Sequence, residues 1–257
     1  MLKFVTFNIR CDYNQDKDNS FCFRKQEIEE KLEREQPDII CFQEVLPHVA
    51  IWLKETLRDY YVVGCGRSRE LDGEQVAIAF KYKSFNMISM ETFWLSPDCF
   101  LPGSRYAEQS ECPRVCTELV LEDLSERKVF RVMNTHLDHL GAKARQLGLS
   151  QILRKLEEER YFAGIPVILA GDFNAEPDSD EMEILREHKD YVNLTEGIGS
   201  TYHGFSSEEQ EESIDYIYVR NGEKTGFSCT SVEKWKDRKG SVWLSDHYPV
   251  CVCLEWD

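Results

Sequence analysis

The stretch Ser245-Asp246-His247-Tyr248-Pro249-Val250 sets an acid beside a histidine just before an apolar run, Val250 to Leu254, that reads as a buried terminal strand. A neutral imidazole takes a proton from water near pH 7, and an adjacent carboxylate holds a metal or a second water. Alone, an Asp-His pair reads more readily as a turn acid followed by a satisfied surface histidine. Its weight comes from partners that recur along the chain. Asn8, Glu44, His136, Asp172, Asn174, Asp215, Asp246 and His247 each fall in or just after an expected strand. Strand ends on one edge of a sheet converge on one pocket, where grouped oxygen donors suit a hard divalent cation, Mg²⁺ or Mn²⁺. The histidines would supply a base and a charged phosphate contact. Taken singly, Asp and Asn at strand ends are ordinary turn residues, Glu44 could cap a helix and His136 could be a core histidine.

The elements that must position these residues follow from hydrophobic periodicity. Strands are expected at Leu2 to Ile9, Ile39 to Phe42, Pro166 to Ala170, Ile214 to Val219 and Phe227 to Val232. Five more, Tyr60 to Val63, Gln75 to Phe80, Phe85 to Phe93, Val115 to Leu121 and Val129 to Asn134, read as a meander. Helices are expected at Phe21 to Glu35, with Phe23, Ile28 and Leu32 inward, at Val49 to Leu57, and at Ala142 to Arg160, with Leu147, Ile152, Leu153 and Leu156 inward. A short helix is expected at Ser179 to Glu187, with Ser179 as its cap. Ser96 to Pro113 has no periodicity and reads as a long loop of the kind that often carries function. Ser206 to Glu212 reads as an acidic loop. Mixed strands with interspersed helices and no Gly/Ser linker imply two packed sheets with helices outside, in one domain spanning residues 1–257.

Composition narrows the partners. The net charge of −16, from 47 acidic and 31 basic residues, argues against a broad surface for a phosphate backbone. It does not exclude a nuclease, because a metal supplies local positive charge in an acidic protein. No run of 18 apolar residues exists, so no membrane span is expected. Leu2 to Phe7 begins a strand rather than a signal peptide, and none of the ten cysteines forms a Cys-x-x-Cys pair. Reduced thiols in a cytoplasmic protein are therefore expected, not a disulfide framework or a zinc site.

Thr6-Phe7-Asn8-Ile9-Arg10, Gln43-Glu44, Asn134-Thr135-His136, Gly171-Asp172-Phe173-Asn174, Ile214-Asp215-Tyr216-Ile217 and Ser245-Asp246-His247-Tyr248-Pro249 together resemble the ordered motifs of the endonuclease/exonuclease/phosphatase superfamily. The resemblance runs from residue 2 to 254 and implies the DNase I-like fold, a four-layer α/β sandwich. It also implies roles. Glu44 resembles the main metal ligand, with Asn8 and Asp246 supporting it. Asp172 and Asn174 resemble the pair that orients the nucleophilic water. His247 resembles the histidine at the scissile phosphate and Asp215 the carboxylate that orients it. His136 resembles the second histidine, with Glu74 as its carboxylate partner, and Arg114 matches an arginine facing the phosphate. Whether Asp172 or His247 is the formal base stays open at this level. Leu101 to Ala107 resembles a Pro-Gly-Ser loop of bacterial members, with Tyr106 where a tryptophan is expected, and Thr201 to Phe205 resembles their Thr-Phe-His-Gly motif. Tyr106 and His203 are thus candidates for substrate contact, His203 equally being a turn histidine, and both loops resemble the deadenylase-like branch.

The implied activity is metal-dependent hydrolysis of a phosphodiester or phosphomonoester by in-line attack of an activated water. A small ester is favoured by the net charge, and a DNA- or RNA-cleaving nuclease is the alternative. A non-catalytic phosphate-binding module on the same fold would be expected to lack several of these residues, all of which are present.

Overall fold

In the strand Leu2–Asn8 (β1) every residue except Lys3 is buried. Successive side chains of a strand point to opposite faces, so both faces of β1 need apolar cover. Leu2 and Phe4 enter one core, and Val5 and Phe7 enter another. The remaining strands, in chain order, are β2 (Ile39–Val45), β3 (Tyr60–Val63), β4 (Gln75–Lys81), β5 (Phe85–Trp94), β6 (Val115–Asp123), β7 (Lys128–His136), β8 (Val167–Asp172), β9 (Tyr191–Asn193), β10 (Asp215–Arg220), β11 (Phe227–Lys234), β12 (Arg238–Lys239), β13 (Val242–Trp243) and β14 (Val250–Trp256). The computed structural model describes residues 1–13, 15–158, 160–206 and 212–257.

Twelve of these strands form two mixed sheets of six, ordered β11-β14-β1-β2-β4-β3 and β5-β6-β7-β8-β10-β9. Phe4, Ile39 and Phe80 of the first sheet pack on Leu121, Phe130 and Val132 of the second, forming the central core. Helices α1 (Phe21–Glu35) and α2 (Pro47–Thr56) cover the outer face of the first sheet through Ile28, Leu32, Val49 and Leu53. Helices α3 (Ala142–Glu158) and α4 (Glu183–Glu187) cover the second through Leu149, Ile152, Leu153 and Leu185. The result is the four-layer α/β sandwich of the DNase I-like fold.

One buried polar tie fixes the two sheets relative to each other. The Asn134 amide on β7 donates to the Phe42 and Ala77 carbonyls of the opposite sheet at 2.8 and 2.9 Å, and its oxygen accepts from Gln43 Nε2 at 2.7 Å. Buried amides persist where each group finds a partner, and here those partners set how the strand ends of one sheet meet those of the other.

Several expectations need correction. The meander does not exist as one unit, because β3 and β4 complete the first sheet while β5 to β7 begin the second. Phe23 is 59% exposed; the helix starts at Phe21, so its inward stripe runs through Phe21, Arg24, Ile28 and Leu32. Arg24 is fully buried and donates to the carbonyls of Ile9, Asn19 and Leu244, clamping the chain just beyond β1. Leu147 is only half-buried, because Gly148 and Leu149 occupy the inward stripe of α3. Ser179 holds the N-cap position of the short helical turn, but its hydroxyl donates to the Glu176 carbonyl instead of accepting a capping hydrogen bond. The loop expected at Ser206 to Glu212 falls mostly on residues 207–211, outside the described residues.

Candidate active site

Strand register brings the chemistry together. In the second sheet, parallel pairing sets His136 of β7 opposite Asp172 of β8, and antiparallel pairing sets Asp215 of β10 opposite the same Asp172. Gly171 permits this close approach. A Cβ there would stand 1.9 Å from the Thr135 carbonyl oxygen, and its φ of 145° is one that L side chains rarely adopt. In the first sheet, Asn8 ends β1, and the pairing of β2 with β4 is irregular between Phe42 and Val45. Glu44 lies in this irregularity, where an extra residue re-aims side chains. Arg10 and Glu44 (φ 62° each) and Asn174 (φ 50°) all adopt the left-handed region, a strained backbone that gathers at functional sites.

The charged groups form one network. His247 Nδ1 lies 2.8 Å from Asp215 Oδ2, and its Nε2 lies 3.7 Å from Asp172 Oδ2. Asp172 accepts hydrogen bonds from Asn8 Nδ2 at 2.9 Å and from the Asn174 backbone N–H at 2.9 Å. His136 Nε2 stands 3.5 Å from the same carboxylate. Glu44 accepts from Asn8 Nδ2 at 3.1 Å and from the Cys11 N–H at 2.7 Å. The Ser245 hydroxyl donates to the Asn8 carbonyl at 2.7 Å, seating the loop of Asp246 and His247 on the end of β1. Thr201 Oγ1 accepts the backbone N–H groups of Ile214 and Asp215, fixing the start of β10.

Electrostatics divides the labour among these groups. Burial and the neighbouring Asp215 push the Asp172 carboxyl up to about 7. Burial opposes charge on His247, but contact with Asp215 overrides it and holds the imidazolium well above the ordinary histidine range. Burial, then Arg114 and Arg67, keep His136 neutral. Burial works against a charged Glu44, yet the Cys11 N–H and the charge on His247 hold it below the usual carboxylate range.

A cavity of about 550 Å³ opens over this network. Its wall includes Glu44, Glu74, Arg114, His136, Asp172, Asn174, Asp246 and His247, while Asn8 and Asp215 support it by the hydrogen bonds above. One oxygen each from Glu44 and Asp172 and one nitrogen of His136 lie within 4.8 Å of one another, a mixed oxygen and imidazole donor set that could hold a divalent cation. A cation there would offset the burial and the Asp215 charge that together raise Asp172.

Five expected placements change. Asn8 gives its oxygen to the Arg10 N–H at 3.0 Å, so its amide nitrogen faces Glu44 and Asp172; it orders the two carboxylates rather than offering oxygen to a metal. Glu74 pairs with Arg67 at 2.6 Å instead of with His136, because a permanent cation outcompetes a neutral imidazole for a buried carboxylate. Tyr106 does not line the cavity, and its hydroxyl donates to Gln151 on α3 at 2.9 Å. His203 stacks on Tyr248 (4.3 Å between centroids) and Trp243 (4.5 Å), and its backbone N–H donates to the Asp246 carbonyl. It buttresses the loop of Asp246 and His247 rather than facing substrate. Asp246 itself lies 3.4 Å from Arg10 Nη1, outside the set of closely spaced donors.

His203 carries a testable consequence. Burial lowers its pKa to about 4, so between there and its unfolded value near 6.5 the unfolded chain binds the extra proton. Its contribution to stability is present above pH 6.5 and lost as pH falls toward 4. His203→Phe keeps the stacking and removes the titration. The variant should retain activity and gain melting temperature relative to wild type at pH 5 more than at pH 8. An equal shift at both pH values, or loss of activity, would count against this buttressing role.

The cavity also contains residues that sequence reasoning passed over. Arg10, Arg67, His139 and Tyr202 all line it. Arg10 and His139 lie within or next to quoted motifs, three residues or fewer from an identified position. Arg67 carries no local signal, since it reaches the site only through the loop between β3 and β4.

Comparison with known proteins agrees with this architecture. Among curated proteins, no sequence matches the chain. Its fold superimposes on an endonuclease/exonuclease/phosphatase from Bacteroides vulgatus with TM-score 0.90, at 28% identity and covering 100% of this chain and 99% of that one. A mannosyl-6-phosphatase from Bacteroides thetaiotaomicron gives 0.88 at 25% identity, covering 99% and 100%. A functionally unknown conserved protein from Enterococcus faecalis gives 0.89 at 26%, covering 100% of each chain. The sequence model of the Endonuclease/Exonuclease/phosphatase family matches residues 5–247, and the chain belongs to that family.

Proposed function

We propose that this protein is a divalent-metal-dependent phosphoesterase acting on a compact phosphate ester. The observation that carries this reading is the buried His247–Asp215 pair set beside Asp172, under a cavity that Arg114 also lines. Members of the family act on phosphoester bonds, and a structural neighbour at 25% identity is a mannosyl-6-phosphatase. The net charge of −16 favours a small ester over a polyanion, whose approach it opposes.

Glu44, Asp172 and His136 would hold the cation, with Asn8 orienting both carboxylates and Asp246 steadying Arg10. Such a cation, Mg²⁺ or Mn²⁺, would supply Lewis-acid charge at the phosphate. Asp172 and Asn174 orient the attacking water, and Asp172 accepts its proton because His247 is already protonated. His247, kept protonated by Asp215, and Arg114 face the charge that builds on the phosphate oxygens.

The test is hydrolysis with Mg²⁺ or Mn²⁺ of two panels, one of single- and double-stranded oligonucleotides and one of nucleotides, sugar phosphates and nitrophenyl esters. Turnover of small esters is the expected result. Cleavage of oligonucleotides alone, weakening with salt, would make the protein a nuclease. Phosphate binding with no hydrolysis of either panel would make it a binding module.

A further inference from the structure

We propose that Arg67, Arg114 and His139 form a cradle for the terminal oxygens of a phosphate dianion, so that the substrate is a phosphomonoester. The inference rests on the phosphoesterase reading and narrows it.

Arg114 is 4% exposed and lines the cavity. One of its nitrogens donates to His139 Nδ1 at 2.9 Å, and its Nε stands 3.7 Å from Asp138 Oδ2, too far for a hydrogen bond. Among the described residues, Nε and Nη1 have no hydrogen-bond partner. A buried cation with unmet donors is costly, and the charge of an anion in the adjoining cavity lowers that cost through space. Because Arg114 only donates, His139 Nδ1 must accept, which puts the ring proton on Nε2. Burial and Arg114 keep His139 from gaining a second proton, so it stands at the cavity wall as a neutral N–H donor. Arg67 lines the same cavity and engages Glu74 through Nη2. Its charge opposes that of Arg114, and a doubly charged anion between two arginines relieves this repulsion.

The donor count decides between ester classes. A phosphodiester has one negative charge and two free oxygens. A phosphomonoester near neutral pH has up to two charges and three strong acceptor oxygens. Arg67, Arg114 and His139 line the same cavity as His247 and Asn174, and together they match the third free oxygen and second charge that only the monoester offers.

The loop at residues 96–113 supports this arrangement. Gly103, at φ 75°, lies so close to the next loop that a Cβ would stand 2.8 Å from the Arg69 backbone nitrogen. Its neighbourhood therefore braces the segment that carries Arg67. The Trp94 indole N–H donates to the Arg67 carbonyl at 2.7 Å. Ser110 donates to Asp138 through both its N–H and its hydroxyl, fixing the carboxylate beside Arg114.

The experiment compares p-nitrophenyl phosphate with bis-p-nitrophenyl phosphate in wild type and in the double variant Arg67→Met/Glu74→Gln. The double change leaves no buried carboxylate unpaired. Calorimetric binding of inorganic phosphate and of dimethyl phosphate is measured on the same samples. The wild type should favour the monoester, and the variant should lower the monoester-to-diester ratio of kcat/KM about tenfold or more, as expected for losing a hydrogen bond to a charged group. Phosphate affinity should fall similarly, while that for dimethyl phosphate changes less. Equal losses for both esters, or unchanged phosphate affinity, would overturn the cradle. If neither ester is hydrolysed by wild type, the phosphoesterase reading fails, and phosphate calorimetry alone decides the cradle.

Discussion

His247→Ala is expected to lower kcat/KM for the best ester substrate by about 10³-fold, within the range for loss of a positioned acid–base or charge-stabilising group. Metal activation should persist, with a midpoint that shifts less than in Glu44→Gln, because the side chains of Glu44, Asp172 and His136 stay in place. The variant should also lose stability. His247 lies between Asp172 and Asp215, which face each other across the β8–β10 pairing. Removing the imidazolium leaves two buried carboxylates uncompensated, at a cost of about 3–5 kcal/mol. Steady-state kinetics well below the variant's melting temperature, together with urea unfolding, check both parts. Wild-type-like turnover would remove His247 from the mechanism, and unchanged stability would mean that the ion pair contributes nothing to the fold.

Glu44→Gln should act on the other axis. Among the proposed donors, Glu44 is a carboxylate held in its charged form, by the Cys11 N–H and the His247 charge. Glutamine preserves the shape but removes the charge, and its amide nitrogen must face an N–H donor, either Asn8 or Cys11. The metal concentration for half-maximal activity should rise by about two orders of magnitude, at or above the usual cost of disturbing a metal site's supporting partners. Calorimetric titration with Mn²⁺ should show the same loss in the absence of substrate. An unchanged activation midpoint would place the cation elsewhere. Since His247→Ala leaves the metal response in place and Glu44→Gln displaces it, the pair separates binding of the cation from handling of the phosphate.

Much of this protein was legible in one dimension because strand periodicity is local. Alternating apolar residues locate β1, β2, β7, β8, β10 and β14, and the polar residues at their ends, Asn8, Glu44, His136, Asp172, Asp215 and His247, must then gather wherever those ends meet. The two packed sheets and the outer helices follow from the same pattern, since doubly buried strands require cover on both faces. What a single sequence could not supply was partner choice between groups far apart in the chain. Glu74 faced a choice between His136 and Arg67, and the fold of the 66–74 loop, not the strand pattern, placed Arg67 at 2.6 Å. Tyr106 and His203 lie in loops that resemble substrate loops, yet the helix α3 and the rings of Trp243 and Tyr248 took up their side chains. Arg67 and His139 entered the cavity through loop–loop packing at Gly103 and a hydrogen bond to Arg114. Hydrophobic patterning specifies which face of a strand is buried, and so it specified the sheet edge where the candidate site lies. Competition among charges and hydrogen-bond donors acts through space, and only the folded chain decided which of them pair.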